Sequence, residues 1–497
     1  MKKKDKEAVE KLNKITAIAL KRGFFWPTAE IYGGKSGLLT YGHLGKAMKN
    51  KFENLWKKHF INNNENCYEI ESVVILPEQV FIASGHLEHF NDPLIECKTC
   101  HYRFRADLFI KNKLNIKTEE LTPEEMSDIV RKNKLKCPKC SSWHLSEAKW
   151  FNMMFPIQLG AVGVKDLAYL TPETAQASYL AFKREFEATR KKLPLGLAII
   201  GKAFRNEISP RQLITRMKEF HQAELQIFFD PDEINKIDKE EWKEISKYKL
   251  IVSPQKEKKA KEMSCEELNK KLKLPKFYLK NLVMTQKFYL DQLKIPKEKF
   301  RFRELGEKEK AFYNKIHWDV ELFFETMGEF REIGGIHYRT DHDLSGHEKQ
   351  SKENLKIFYN NKKFIPHVIE ISIGIDRTLW AFMDIFFKEE KERTLFSFPI
   401  SLSPIDMAIF PLVIKEEMPE KAKEIYKILK NDFSCFYDES GAIGRRYRRQ
   451  DEIGTPYCIT IDSQTLKDDT ATVRERDTMK QKRIKIETLL TEIKNLI

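Results

Sequence analysis

Apolar residues in the stretch GKAMKNKFENLWKKHFI recur at helical spacing, with Leu44, Met48, Phe52, Leu55, Trp56 and Phe60 on one stripe, which predicts a helix with a single buried face. The following YEIESVVILP reads as a strand ended by Pro77. Two apolar runs, IIGKAF and LQIFF, flank a polar loop and predict a hairpin over about 199–229. Strand-like patterning returns in HWDVELFFETMGEFREIGGIHYRTDHDL and in FIPHVIEISIGIDR. Between the hairpin and those strands, residues 231–310 are dense in Lys and Glu, helical in period and poor in Gly, and predict a Lys-rich insertion apart from the main core. Residues 1–22 read as a basic helix. After FSFPISLSP a new unit begins at residue 400, where DMAIFPLV, EKAKEIYKILKNDF, YCITID and TATVRER alternate strand and helix in a small α/β domain.

Charge falls where a sheet would prefer apolar residues. On a strand, residues two apart share a face, so Arg205 and Glu207 point one way, and Phe220, Gln222 and Glu224 share a face of the return strand. The loop between them adds Arg211 and Arg216. A guanidinium with loop cations suits a triphosphate, and a phenyl ring suits a purine. In HVIEISIGIDR, Glu370 and Ser372 lie on one face while Ile369, Ile371 and Ile373 lie on the other. Gly374 then turns the chain, and Arg377 stands at a helix start, where a cation opposes the helix dipole. Something anionic should meet it.

Composition narrows the class. The 497 residues are 41% hydrophobic and 11% aromatic, which excludes a disordered chain. Lys and Arg number 88 against 74 Asp and Glu, a net charge of +14 that favours a polyanionic partner, nucleic acid before membrane. No apolar run approaches the roughly 18 residues that span a bilayer, and MKKKDKEAVEKL has no apolar signal region, so a cytoplasmic protein is expected. Of eight cysteines, Cys97 and Cys100 form one C-x-x-C knuckle and Cys137 and Cys140 a second. Four such thiolates make a closed structural zinc site, Zn²⁺ serving folding and not chemistry. The tract GRRYRRQDE sets four arginines around Tyr447, a pattern suited to an RNA-facing edge.

These stretches together resemble a known family. The hairpin is similar to motif 2 of the class II aminoacyl-tRNA synthetases, GIDR to motif 3, and the helix 44–60 with the strand ending near Pro77 to motif 1, the dimer interface of that class. More narrowly, EIYGGKSGLLTYGHLG, ASGHLEHFNDPLIECKTC, FRAD, TPETAQ, GKAFRNEISPR, EFHQAE and RTDHDL resemble the dimeric glycyl-tRNA synthetases. SGAIGRRYRRQDEIGTPYCITID and TVRERDTM resemble that family's anticodon-binding domain. The resemblance runs nearly end to end, apart from parts of 111–136 and of 231–310.

It implies an α/β (α+β) protein. Residues 1–399 would form a catalytic domain, an antiparallel sheet flanked by helices, with a zinc-ribbon-like insertion at 95–145 and the Lys-rich insertion at 231–310. Residues 400–497 would bind the anticodon. The implied activity is that of a glycine–tRNA ligase, a homodimer using ATP with Mg²⁺ to activate glycine and charge tRNA(Gly). Arg205, Glu207 and Arg377 would be the catalytic set. Arg205 would hold the α-phosphate, with Asn206 beside it, and Glu207 the adenine amino group. Arg216 and Arg377 would take the distal phosphates or the adenine face, Phe220 would stack on the base, and Glu332, Ile333 and Gly374 would border ATP and its Mg²⁺. Glu173, Glu224 and Glu370 would surround the glycine ammonium, with Gln222, Ser372 and Arg105 completing that pocket. Four positions depart from the family pattern: Thr171 for Arg, Ala177 for Gly, and His337 and Tyr338 where small or acidic residues are usual. A different class II enzyme would share motifs 2 and 3 without the three glutamates. A silent RNA-binding relative would lose Arg205 or Arg377, and a zinc-ribbon protein would not place acids on strand faces.

Overall fold

Alternation of buried and polar positions shapes the main sheet. A computed structural model describes residues 3–496 apart from 119, 120, 161–165, 209, 211–215, 256, 258, 307, 308 and 312. Nine strands are joined: β1 (Cys67–Glu69), β2 (Leu195–Phe204), β3 (Glu219–Phe229), β4 (Lys249–Ser253), β5 (Lys261–Ser264), β6 (Phe300–Glu304), β7 (Ile316–Phe324), β8 (Glu329–Thr340) and β9 (His367–Gly374). Their order is β5-β4-β6-β7-β8-β9-β3-β2-β1, antiparallel except where β1 meets β2 and β4 meets β6.

One face of this sheet is apolar. Leu225 and Ile227 of β3, Ile369, Ile371 and Ile373 of β9 and Trp318 and Val320 of β7 are buried there. Three helices cover them: α1 (His43–Lys57) with Leu44, Met48, Phe52 and Trp56, α2 (Lys276–Lys287) with Tyr278, Leu279 and Leu282, and α3 (Ile375–Phe386) with Leu379 and Phe382. The stripe expected over 44–60 is therefore the buried face of α1.

The other face is polar in its centre, and register aligns it in two rows. Glu224 of β3 pairs with Ser372 of β9, Ser372 with Gly335 of β8, Gly335 with Asp319 of β7, and Asp319 with Arg303 of β6. Two residues along, Gln226 pairs with Glu370, Glu370 with His337, and His337 with His317. Directly opposed residues share a face, so nine positions from five strands share this face, and all but Gln226 line one cleft.

Three expectations change. The segment 231–310 is not set apart from the core: β4, β5 and β6 widen the main sheet, and α2 is packed beneath it. Its Lys and Glu residues lie mainly on exposed helix faces and hide short apolar runs such as Leu250–Val252. YEIESVVILP is two strands, because β1 joins β2 while Ile75–Pro77 pairs instead with Leu167–Leu170 in another sheet. Finally, β2 stops at Phe204, so Arg205 and Glu207 belong to the loop that follows it.

Two smaller units complete the chain. Asn91–Glu96, Arg103–Arg105 and Lys149–Asn152 form a three-stranded sheet whose loops carry the cysteine knuckles, with helices Ala106–Leu114 and Pro123–Lys132 between them. Near the C-terminus, β10 (Met407–Pro411), β11 (Cys435–Tyr437), β12 (Tyr457–Ile461), β13 (Thr470–Glu475) and β14 (Gln481–Lys485) form a sheet in the order β11-β10-β12-β13-β14, with its own apolar core.

Candidate active site

The polar rows floor a cleft of about 690 Å³ whose lining includes Glu173, Arg205, Glu207, Arg216, Phe220, Gln222, Glu224, Glu332, Ile333, Glu370, Ser372, Gly374 and Arg377. The sheet thus brings the expected site residues together, although they come from segments some 270 residues apart in sequence. Arg211 lies outside the described residues.

At one end the chemistry is carboxylate-rich. The three glutamates differ in their compensation. Arg339, 1% exposed, donates from Nη1 to Glu370 Oε1 and Oε2 at 3.2 and 3.1 Å, and from Nη2 to Glu173 Oε1 at 3.4 Å. Its Nε and Nη2 also grip both oxygens of Asp343 at 2.8 and 2.9 Å. Burial opposes ionisation of Glu370, but Arg339 and His337 hold its carboxyl at about 2. Glu173 is likewise held well below the usual carboxylate range, against its burial, by Arg339 and His86. Glu224 has no such cation. It accepts from Thr174 Oγ1 and Ser372 Oγ, each at 2.6 Å, and from Gln222 Nε2 at 3.0 Å. Burial and the charges of Glu370 and Glu173 push its carboxyl up to about 7. Of the three glutamates expected around the ammonium, two are already paired with Arg339, and Glu224 has no cation beside it among the described residues. Beside it, the buried Gln222 Oε1 has no hydrogen-bond donor among the described residues.

The other end is cationic. The Arg205 guanidinium sits 5.3 Å from the Phe90 ring and 5.2 Å from the Phe220 ring, while its Nε donates to Pro172 O at 3.0 Å. Phe220 is thus partly engaged by Arg205. Asn206 Oδ1 accepts from Lys218 Nζ at 2.9 Å. Glu207 accepts from Arg216 Nε at 2.6 Å, and Arg216 also approaches Asp92 at 3.6 Å. Arg105, expected beside glycine, instead donates to Asp92 at 2.7 Å and to Asp107 at 3.0 and 2.5 Å. That chain joins it to Arg216 and Glu207, placing it at the cationic end. Burial raises Asp92 to about 6 despite Arg105. Arg377 reaches Glu332 O at 3.3 Å and the Glu332 carboxylate at 3.4 Å. The Ile333 side chain is core, and only its backbone edges the cleft, where its carbonyl leaves no slack for a side chain at Gly374: an added Cβ would lie 3.1 Å from it. Asp376, at the α3 N-terminus, accepts from His221 N and Tyr41 Oη, both at 2.5 Å, which fixes the helix start beside Arg377.

Outside the cleft, the sulfurs of Cys97, Cys100, Cys137 and Cys140 all lie within 4.8 Å of one another, with Cys97–Cys140 at 3.6 Å and Cys100–Cys137 at 3.7 Å. A tetrahedron with metal–sulfur bonds of about 2.3 Å has edges near 3.8 Å, so the four thiols fit such a centre. In the tract 444–452, Arg446 is buried and donates to Gly441 O at 2.7 Å, Arg449 binds Asp438, and Tyr447 contacts Thr460 at 2.5 Å. Arg445 and Arg448 are exposed. Half of the expected RNA edge is therefore structural.

Sequence reasoning passed over Arg339, Asp343, Asp92, His317 and Asp319. Arg339 and Asp343 were inside the quoted RTDHDL, where their spacing of four residues signals a pair on consecutive elements, but nothing local shows that Arg339 is buried.

Comparison with known proteins agrees with this geometry. A family model described as "tRNA synthetase class II core domain (G, H, P, S and T)" matches residues 163–386, and one described as "Anticodon binding domain" matches 406–496. The chain is 37% identical to the glycine–tRNA ligase of Methanococcus vannielii, across 98% of this chain and 100% of that protein. It is 38% identical to the glycine–tRNA ligase of Pyrococcus horikoshii, across 96% and 97% of the two.

Proposed function

The chain belongs to the glycine–tRNA ligase family of class II aminoacyl-tRNA synthetases, and we propose that the cleft on its sheet activates glycine with ATP and passes the glycyl group to the 3′ end of tRNA(Gly). The observation that carries this reading is the carboxylate-rich end, where, among the described residues, Glu224 lacks a cationic partner and Gln222 Oε1 lacks a donor. A small ammonium supplies both wants. Glycine has no side chain to grip, so its selection rests on charge complementarity and on walls too close for a Cβ. An apolar pocket separates amino acids by only about 1–3 kcal/mol per methylene, so steric refusal is the stronger device.

In this reading Glu224, Gln222 and Ser372 receive the ammonium, with Glu173 and Glu370 behind them. Arg205 holds the α-phosphate, Phe220 and Glu207 serve the adenine, Arg216 and Arg377 take the distal phosphates, and Arg105 steadies Arg216 through Asp92. Glycine's carboxylate attacks the α-phosphorus, pyrophosphate leaves, and the terminal ribose hydroxyl of tRNA then displaces AMP from the adenylate. No protein nucleophile is needed, so the residues act by placement and by fixed charge. Mg²⁺ arriving with ATP would sit near Glu332 and screen the phosphate charge. Glycine-dependent ATP–pyrophosphate exchange tests the proposal: glycine should support it and alanine should not. Exchange supported by another amino acid but not by glycine would refute it. Glu224→Gln should raise the glycine KM by about tenfold or more while changing the ATP KM little.

Four further assignments accompany it. The catalytic unit spans 1–399, with the lobe 95–145 within it, and the anticodon-binding unit spans 400–497. The four cysteines bind structural Zn²⁺. The three-stranded sheet beside them carries Asp92 and Arg105, so Cys137→Ser should abolish bound zinc by elemental analysis and raise the ATP KM on the order of tenfold, more than the glycine KM. The chain forms a homodimer through α1 and the segment after it, where Tyr68 of β1 and Val73 of the following loop are exposed, and sedimentation at micromolar concentration should give twice the chain mass. It works in the cytoplasm; no helix among the described residues is long and apolar enough to cross a membrane.

A further inference from the structure

His337 is one of the positions that depart from the family pattern, and its surroundings give it a role. It stands between Glu370 of β9 and His317 of β7, on the polar face and at the cleft wall. Its Nδ1–H donates to Glu370 Oε2, and its Nε2 lies 3.0 Å from His317 Nε2. The proton positions follow from the next partner. Asn314 Nδ2, which can only donate, is 3.1 Å from His317 Nδ1. With that amide nitrogen facing the ring, His317 Nδ1 accepts and its proton is on Nε2. That proton points to His337 Nε2, with Asp319 Oδ1 at 3.1 Å as a second acceptor. His337 Nε2 then accepts, which leaves its own proton on Nδ1 for Glu370. With Asn314 in this orientation both rings are neutral, and its Oδ1 is left without a donor among the described residues. Gly335 leaves space for the arrangement, since a Cβ there would come within 2.4 Å of His337 Nε2.

We propose that His337, oriented by His317, is a positioning residue: neutral, it aims Glu370 at the amino-acid ammonium, and on gaining a proton it competes with that ammonium, so that glycine capture weakens as the pH falls. The inference rests on the reading of this cleft as the glycine site. The charged and titratable groups around His337 are His317 and Asp319 of β7, Glu332 and Arg339 of its own strand, Glu370 of β9, Arg303 of β6, which binds Asp319 at 2.9 Å, and Glu173 and Glu224 across the cleft. Burial, and the charge His337 would carry if protonated, keep His317 below the usual imidazole range, which favours a neutral His317. An added proton would place an Nε2–H of His337 against that of His317, and the new positive charge would face Glu370. Glu224, pushed up to about 7, titrates in the same window, so the two sources must be separated.

Asparagine separates them. The Nδ2 of His337→Asn can still donate to Glu370 but cannot take up a proton. Glycine and ATP KM values from ATP–pyrophosphate exchange between pH 6 and 8 are the readout, for the unaltered chain, His337→Asn and His337→Ala. In the unaltered chain the glycine KM should rise from pH 8 to 6 by clearly more than the roughly tenfold that Glu224 alone accounts for, with the ATP KM rising far less. At pH 8, His337→Ala should raise the glycine KM and His337→Asn should recover most of that loss. The low-pH rise in His337→Asn should shrink to the share belonging to Glu224, about tenfold for a carboxyl that titrates at about 7. A full rise in His337→Asn would assign the whole titration to Glu224, and an unchanged glycine KM in His337→Ala at pH 8 would remove the positioning role; either overturns the inference while the glycine site stands. Exchange that glycine never supports, at any pH, overturns the site reading and this inference together. His337→Asn, nearly isosteric at the donor, carries the comparison if His337→Ala is poorly folded.

Discussion

Arg205→Ala is expected to lower glycine-dependent ATP–pyrophosphate exchange on the order of 10³-fold while tRNA affinity stays within about threefold, because one fixed donor at a developing charge is worth that much and touches only the first step. The side chain leaves the end of β2 where the backbone still pairs once, Arg205 N to Lys218 O at 2.9 Å, so its base is fixed. Its Nε is spent on Pro172 O at 3.0 Å, which sets the plane of the guanidinium. The rings of Phe90 and Phe220 flank it at 5.3 and 5.2 Å. An arginine arranged in this way is organised before the phosphate arrives. Arg205→Lys should recover little, since an ammonium keeps the charge but not the planar fork or the ring contacts. Single-turnover transfer from pre-formed glycyl-adenylate should be nearly unaffected in both variants. A parallel loss in tRNA binding or in transfer would show that Arg205 supports the fold instead of the α-phosphate.

The legible part of this molecule was the part encoded by period. Alternation in HVIEISIG placed Glu370 and Ser372 on the functional face and three isoleucines on the core face, and the spacing in EFHQAE did the same for Phe220, Gln222 and Glu224. Two C-x-x-C pairs pointed to one cluster across a gap of 36 residues, because short-range thiol spacing survives whatever lies between. What escaped was set by contacts between distant segments. The run 231–310 looked separate because surface Lys and Glu dominate its composition, whereas the few apolar residues of β4, β6 and α2 decide where it packs. Arg105 was assigned to glycine by resemblance, yet Asp92 and Asp107 draw it to the cationic end. The sequence did not distinguish the three glutamates, because Arg339 looks like one more cation in a polar string. Its burial is a property of the folded sheet, and so is the difference it imposes between Glu370 at about 2 and Glu224 at about 7.

That difference makes Arg339→Met the most destabilising single change expected in the catalytic unit. Arg339 is enclosed, 1% exposed, with Tyr313 on its face at 4.1 Å and Tyr179 at 5.3 Å. Methionine fills much of the volume but leaves Asp343, Glu370 and Glu173 buried without their shared cation. Removing one partner of a buried ion pair costs about 3–5 kcal/mol, most of it the stranded charge and not the lost contact. The thermal midpoint should fall by about 5 °C or more. The pH dependence identifies the cause. In the unaltered chain Glu370 titrates at about 2, below the usual carboxylate value near 4.3, so the stabilisation it brings is present above about pH 4.3 and is lost as the pH falls through about 2. In the variant the stranded carboxylates titrate above their ordinary values, and protonation relieves them. The gap between the two proteins should therefore be widest near pH 7 and narrow as the pH drops toward 3. A gap that is constant with pH would mean that the loss is one of packing, as from the rings of Tyr179 and Tyr313. A second substitution offers an independent check: Arg339→Met with Glu370→Gln should be less unstable than Arg339→Met alone, because it removes one of the charges that Arg339 existed to hold. Neither protein should activate glycine well, since the arginine that makes these carboxylates tolerable in the core is also what leaves Glu224 as the open seat for the ammonium.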